Sequence, residues 1–295
     1  MKRLKEFNSG IKYMLFASFL FAIMGAFAKL ASAYMSSLEV VFFRNIFGVF
    51  IIGYAIYKKP MTKKGSKPFL LFFRGLMGFL ALLAYFYNVA HIPLGDAMTF
   101  SKTAPIFTAI FAWLFLNEKL SVNAWFGVFV GFAGILLITQ PSNIGFTKYD
   151  LLGIFSGVGA ALAYTSIREL KEYYDTRAIV LSFTLVGTVG PIILMILSKY
   201  FYITSLDFML GEFVMPIGII WIYIIGLGVL GTLSQYYMTK AYSETKAGII
   251  GAISYTGIIF SIIVGVLLGD IFPDIITICG IVLIVLAGIV VAKEK

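Results

Sequence analysis

Charge is scarce in this chain. Asp, Glu, Lys and Arg make up 13% of its 295 residues, about half the share of a soluble domain, whose surface must be wetted. Hydrophobic residues reach 60% and the mean hydropathy is +0.97. A water-soluble fold of this composition would expose too much apolar area, so lipid has to solvate most of the surface. Cysteine is nearly absent. Cys279 stands alone in an apolar run, which excludes an internal disulfide and reads as a small packing residue. Histidine is equally rare, and His91 by itself cannot build a multi-histidine metal site. Acidic residues number 14 against 23 basic ones. The basic excess lies in short gaps between apolar runs, not in a patch for nucleic acid, so no nucleic-acid partner is expected. A phosphate-cradling Gly-x-x-x-x-Gly-Lys-Ser/Thr motif is missing too. No cofactor is expected.

Apolar runs fill the rest. A membrane-crossing helix needs about twenty mostly apolar residues. Charge clusters, Pro and Gly divide the chain into ten such spans, at 11–31, 37–57, 68–89, 94–116, 121–140, 149–169, 178–199, 217–240, 246–269 and 273–292. The basic start and Ala31-Ser32-Ala33 imitate a cleaved signal. However, the run from Ile11 to Leu30 is long for a signal core and Lys29 sits just before the cut, so it is read as the first span. The gaps leave no room for a soluble domain.

Charge fixes the expected orientation. With the N-terminus inside, the cytoplasmic gaps hold eighteen Lys and Arg, and the outer gaps hold only Lys29, Lys148 and Lys199. A missed or extra span would invert this bias downstream. Ten helices with both termini cytoplasmic, in a bacterial inner membrane, follow as the expectation.

The chain also repeats itself. Ala90 to Glu118 and Ala241 to Asp270 each pass through a small-residue helix and end on an acid after a Leu-rich turn. Each is followed by an apolar helix with Ala133-Gly134 or Ala287-Gly288 near its end. The division is five spans plus five, residues 1–141 and 149–292. An odd number per repeat forces opposite orientations, and inverted repeats are common in secondary transporters, with the substrate at the midplane between the halves.

Several segments carry a family likeness in order: Phe42-Phe43-Arg44, Phe73-Arg74-Gly75-Leu76, Asn88 through Ala97, Thr103-Ala104-Pro105 with Asn117-Glu118, Gly231 through Gln235, Lys240-Ala241-Tyr242 and Tyr255. Over nearly its whole length the chain resembles the EamA branch of the drug/metabolite transporter superfamily. The Arg-bearing second and third helices look like the subgroup of S-adenosylmethionine and riboflavin uptake carriers, and metabolite exporters share most of the pattern. Asp270 departs from it, standing where Glu is usual. The resemblance implies an all-α membrane bundle of ten helices around a central cavity, with alternating access and no ATP hydrolysis by the chain.

Ionisable side chains within a bilayer cost about 2.5–3.5 kcal/mol or more at a helix centre and normally face the bundle interior. Lys102 lies eight residues into the fourth span, about 12 Å deep. It reads either as a cation for a substrate carboxylate or phosphate or as a partner of Asp96 or a carbonyl. Thr103 flanks it, and Tyr255 occupies the matching place in the second repeat. Arg44 reads as a substrate or gate contact, or as half of an inter-helix ion pair. Arg74 reads as a gate or an interfacial anchor. His91 and Asp96 could exchange a proton, or simply occupy a loop. Tyr85, Asn88, Tyr164 and Gln235 suit a cavity wall or packing. Glu118 and Asp270 could close the two ends by pairing with basic loops, or be ordinary interfacial charge. The glycines around Gly127, Gly131 and Gly134 read as close-packing devices, and Pro105 as a helix break that frees a carbonyl.

These readings converge on a secondary transporter of a small polar or zwitterionic organic metabolite, amino acid or nucleotide-like, with lipid as its other partner and homodimerisation left open. A membrane-embedded enzyme would need clustered catalytic groups that the chain lacks, and a channel would need a passage open to both sides.

Overall fold

The computed structural model describes residues 2–61, 65–92, 97, 100–140, 147–201, 208–210, 213–267 and 272–292. Its regular structure is helical, with no strand among the described residues. The helices are α1 (Lys2–Ser32), α2 (Ser37–Lys58), α3 (Pro68–His91), α4 (Ala104–Leu116), α5 (Val122–Thr139), α6 (Lys148–Tyr173), α7 (Thr176–Ser198), α8 (Ile220–Glu244), α9 (Ala247–Ile253), α10 (Thr256–Leu267) and α11 (Ile275–Ala292). Eight stretches are long and apolar enough to cross a membrane, one of them Ala247–Leu267, which joins α9 and α10. The segments Ala104–Leu116 and Ile275–Val291 are apolar but shorter.

Large apolar side chains are exposed and some charged ones are buried, as a lipid solvent allows. Phe50, Phe69, Val122 and Leu267 are each at least 70% exposed, whereas Glu39, Arg44 and Arg74 are each at most 3% exposed. One apolar core joins α1, α2, α3 and α8 around Met24, Val41, Phe43, Leu83 and Leu227. A second gathers Met14, Ala112, Ile167, Leu170, Met238 and Tyr242. The main pairings are α1 with α8, α3 with α6, α2 with α7 and α5 with α11.

Span boundaries differ from the expected ones in a consistent way. Helices α1, α6 and α8 run past their charge clusters to Lys2, Tyr173 and Glu244. Charge marks where lipid ends, but the backbone hydrogen bonds of a helix continue into water. Two capping boxes start helices at the opposite side. Ser36 and Glu39 exchange bonds at the head of α2, and Thr147 and Asp150 do so at α6.

The expected single helices 94–116 and 246–269 are each interrupted. Helical Phe100 and Ser101 give way to a turn at Lys102 and Thr103 before α4 resumes at Ala104. The Thr103 N–H reaches back three residues to the Phe100 carbonyl at 3.1 Å, and its hydroxyl donates to the same oxygen at 2.6 Å. Pro105 supplies the cause. It has no N–H for the Ser101 carbonyl, and its ring crowds that turn. Between α9 and α10 the turn falls at Ser254 and Tyr255. No proline is there. Instead, hydroxyls compete for the ladder, Ser254 donating to the Gly251 carbonyl at 2.6 Å and Thr256 to that of Ile253 at 2.8 Å. The interruptions touch: a Cβ on Gly251 would lie 3.3 Å from the Pro105 Cα.

Glycine lets α5 and α11 meet backbone to backbone. A Cβ on Gly134 would stand 2.7 Å from the Gly280 carbonyl oxygen, and one on Gly280 would stand 2.6 Å from that of Gly134. Nothing lies within 4 Å of a Cβ placed on Gly53 of α2. Gly134→Ala is therefore expected to destabilise the protein by about 1–3 kcal/mol through forced separation of the pair. Gly53→Ala should be neutral or stabilise by up to about 1 kcal/mol. Unfolding in mixed micelles by titration with sodium dodecyl sulfate measures both, and equal effects at the two sites would contradict this packing.

Candidate functional site

Small residues on several helices leave space between them. Ser18, Ala22, Gly25 and Ala28 of α1, Gly78 and Ala81 of α3, Ser156 and Ala160 of α6, and Gly257 and Gly265 of α10 line a cavity of about 620 Å³. That volume is within the ordinary range for a small-molecule site. Its chemistry is set by what larger side chains project into it. Arg44, Arg74 and Lys102 line it together with Tyr85, Tyr164, Phe183 and Gln235. Among the described residues, no Asp or Glu lines it.

Arg44 and Arg74 come from neighbouring helices, α2 and α3, and converge on one ring. Their guanidinium carbons lie 5.3 and 5.0 Å from the centroid of Phe183 on α7, in cation–π geometry. Arg44 reaches the Gln235 Oε1 of α8 and the neighbouring Asn45 Oδ1, each at 3.4 Å. These are long contacts to neutral groups. Nε of Arg44, Nε and one terminal nitrogen of Arg74, and Nε2 of Gln235 are buried with no hydrogen-bond partner in the structure. Buried donors left so are costly, by about 1–3 kcal/mol each and more for charged groups.

The structure revises both sequence alternatives for the arginines. Arg74 is not an interfacial anchor, because it is 1% exposed and packs where a Cβ on Gly78 would touch it. Arg44 has no carboxylate partner among the described residues. The acid near it in sequence, Glu39, is occupied elsewhere. One oxygen serves the α2 cap and the other accepts the Val214 N–H at 2.8 Å.

Lys102 enters from a different wall, at the interruption before α4. Its ammonium lies 3.6 Å from the place a Cβ on Gly257 would take, beside Ser18. Ser101 and Ser254, from the two interruptions, also line the cavity. The other expected site residues lie outside this lining. Thr103 turns its hydroxyl onto the Phe100 carbonyl and abuts Gly157. Tyr255 places its ring against Gly131 on α5. Asn88 donates to the Tyr149 carbonyl at 2.9 Å and ties α3 to α6. His91 is exposed and stacks on Tyr87 at 4.0 Å, with its Nδ1 2.8 Å from the Tyr87 carbonyl oxygen. Asp96 and Asp270 lie outside the described residues. Phe183 and Ser18 escaped the sequence reading. One phenylalanine among 29 carries no mark of the two arginines that will converge on it.

At one end the lining runs out to Lys29 and Ser32 of α1, Val89 of α3 and Gly265 of α10. At the other it stops at Met14, Pro105, Tyr164 and Met238. Beyond that floor, Glu118 ties three segments together. Its Oε1 accepts from Arg168 Nε at 2.8 Å, and its Oε2 accepts the Ala247 N–H at the head of α9 at 2.9 Å. Arg168 also donates to the Ser243 carbonyl in the last turn of α8 at 3.1 Å. Anion at a helix start and cation at a helix end both match the helix dipoles. With the two side chains only 10% and 21% exposed, solvent screens the pair weakly. A double-mutant cycle of Glu118→Gln and Arg168→Gln is expected to return a coupling of about 1–3 kcal/mol in thermal unfolding. Additive single effects would show that the pair contributes nothing.

Comparison with known proteins agrees with this geometry at the level of family and fold. The model of the EamA-like transporter family matches residues 8–140 and again 147–292. An uncharacterized transporter of Helicobacter pylori is 37% identical over 292 residues, covering 96% of this chain and 94% of that protein. The pseudopaline exporter of Pseudomonas aeruginosa is 34% identical over 290 residues, covering 98% and 97%. A solved crystal structure, 18% identical, superposes with a TM-score of 0.76 over 96% of each chain. The chain is a multi-pass membrane protein and belongs to the EamA-like transporter family.

Proposed function

We propose that the protein is a secondary transporter that carries a small polar organic metabolite with a carboxylate or phosphate across the bacterial inner membrane. The cavity into which Arg44, Arg74 and Lys102 project, with no Asp or Glu in its lining among the described residues, is the observation that carries this reading. Cations with unsatisfied donors, in a space of small-molecule size, call for an anionic group brought by the substrate. Amino acids and nucleotide-like metabolites belong to that class. Tyr85 and Tyr164 give such a ligand flat faces to lie on.

The architecture on this reading is two inverted five-helix repeats, residues 1–141 and 149–292, around the cavity. The helix pairings support it. Let α1 exchange with α6, α2 with α7, α3 with α8, α4 with α9–α10, and α5 with α11. Then α1–α8 becomes α6–α3, α2–α8 becomes α7–α3, and α4–α6 becomes α10–α1, all of which are observed contacts. The pairs α2–α7, α5–α11 and α4–α9 map onto themselves. Interruptions at Lys102–Thr103 and Ser254–Tyr255 fall in exchanged elements, as in transporters whose broken helices meet at the midplane.

Alternating access follows from the asymmetric ends. The basic gaps support a cytoplasmic location for both termini and for the Glu118–Arg168 pair. On this reading the pair ties that side, and the cavity lining extends toward the other. A continuous channel would have no such floor.

Counterflow in proteoliposomes tests the proposal, with amino acids, nucleosides, S-adenosylmethionine and riboflavin as candidates, each with and without a pH gradient. At least one anionic candidate should exchange. Lys102→Ala should lower its initial rate by tenfold or more, equivalent to about 1.4 kcal/mol, with unchanged size-exclusion behaviour. Undiminished exchange by the variant would remove Lys102 from the site, and ungated leak of all solutes would replace the carrier with a channel.

A further inference from the structure

We infer that the ligand of this cavity carries two anionic groups at once, one gripped between Arg44 and Arg74 over Phe183 and one held by Lys102. The inference rests on the reading of the cavity as a substrate site and narrows its ligand from a zwitterion to a dianion.

The two stations are separate in structure. Arg44, Arg74 and Gln235 come from α2, α3 and α8 and share the Phe183 ring of α7. Four of their nitrogens are buried without an acceptor. Two guanidinium groups against one ring repel each other unless an anion lies between them. A carboxylate or phosphate matches their planar, forked donors. Lys102 stands on the wall formed by α4, α10 and α1, next to Gly257 and Ser18. The hydroxyl-bearing Ser18, Ser101, Ser254 and Ser261 line the cavity from those helices and the α9–α10 turn. Gly257 has no side chain to crowd the ammonium, which leaves room for a ligand group against it.

The lining supplies Arg44, Arg74 and Lys102, with the exposed Lys29 at its outer end, and, among the described residues, no acid. A ligand with one anionic group can neutralise only one station, and the other keeps an unpaired charge away from bulk water. The ammonium of a zwitterion meets no carboxylate among the described residues of the lining and adds a further positive charge. A ligand with an anion at each end answers both stations. S-adenosylmethionine, with a sulfonium and an ammonium against one carboxylate, has the opposite charge balance.

Ligand-dependent thermal unfolding of the purified full-length protein tests this without requiring transport. The probes are the α,ω-dicarboxylates from succinate to adipate, each set against the monocarboxylate of equal chain length from butyrate to hexanoate, with S-adenosylmethionine as the cationic comparison. At least one dicarboxylate should half-saturate at about tenfold lower concentration than its monocarboxylate, and S-adenosylmethionine should give no shift. Lys102→Met should abolish that advantage, whereas Lys102→Arg should retain it. The unliganded midpoints of both variants report whether they fold. Equal half-saturation within every pair, no stabilisation by any dicarboxylate, or an advantage that survives in a folded Lys102→Met protein would overturn the two-anion site. Counterflow remains a separate readout. Dicarboxylate binding without exchange of any solute removes the carrier and leaves the site. Exchange with no dicarboxylate advantage removes the site and leaves the carrier.

Discussion

Buried positive charge with no carboxylate partner among the described residues is the constraint on which the rest of the structure turns. A chain solvated by lipid can bury a cation only where another group compensates it. Elsewhere this protein follows that rule. Arg168 has Glu118, and Arg177 is bonded by Asp175 and by carbonyls of α2 and the residue after it. In the cavity it does not. Glu39, the carboxylate nearest to Arg44 in sequence, is committed to a helix cap and to the Val214 N–H. The surrounding helices hold the arginines in place all the same, with Phe183 beneath both and Gly78 making room for one. On the proposed reading, the ligand cancels this deficit.

The helix interruptions serve the same constraint. Lys102 can reach the cavity because the helix turns there, and Pro105 ensures that the turn persists. On the opposite element, Ser254 and Thr256 produce a turn by hydroxyl bonding alone. Two different chemical causes therefore interrupt two helical segments that meet. The close approach of Gly251 to Pro105 joins the turns, so a shift of one carries to the other. Glu118, just past the end of α4, bonds α6 through Arg168 and the head of α9 through the Ala247 N–H, and Arg168 adds the last turn of α8.

Much of the fold was legible in the sequence because lipid is an undemanding reader. Apolar length and basic gaps mark the spans regardless of packing, and eight of the ten expected spans satisfy length and hydropathy. Helix ends were less legible, since Arg168, Lys171 and Lys240 mark the lipid boundary inside helices that continue. Of the residues that the sequence singled out, Arg44, Lys102, Tyr85, Tyr164 and Gln235 line one cavity together. Arg74 was assigned to an end because it is near one in sequence. Its long side chain instead reaches inward, a choice set by Gly78 and Phe183, which only the packed structure brings together. Thr103, Tyr255 and Asn88 illustrate the converse. They lie outside the cavity lining, Thr103 bonded to a local carbonyl, Asn88 donating to the Tyr149 carbonyl and Tyr255 packed against Gly131, with the Tyr255 hydroxyl and the Asn88 Oδ1 buried without a partner.

Sidedness is the most direct test of the account. Ser254, at the interruption between α9 and α10, lines the cavity. In a Cys279→Ser background, Ser254→Cys can be probed with a membrane-impermeant thiol reagent applied to one face of oriented vesicles at a time. The account predicts modification from the face of Ser32 and Val89 when the Glu118–Arg168 pair is intact. Adding Glu118→Gln should lower that rate and open reaction from the cytoplasmic face. Modification from both faces at once with the pair intact, or from neither, would contradict a cavity that is reached from one side at a time.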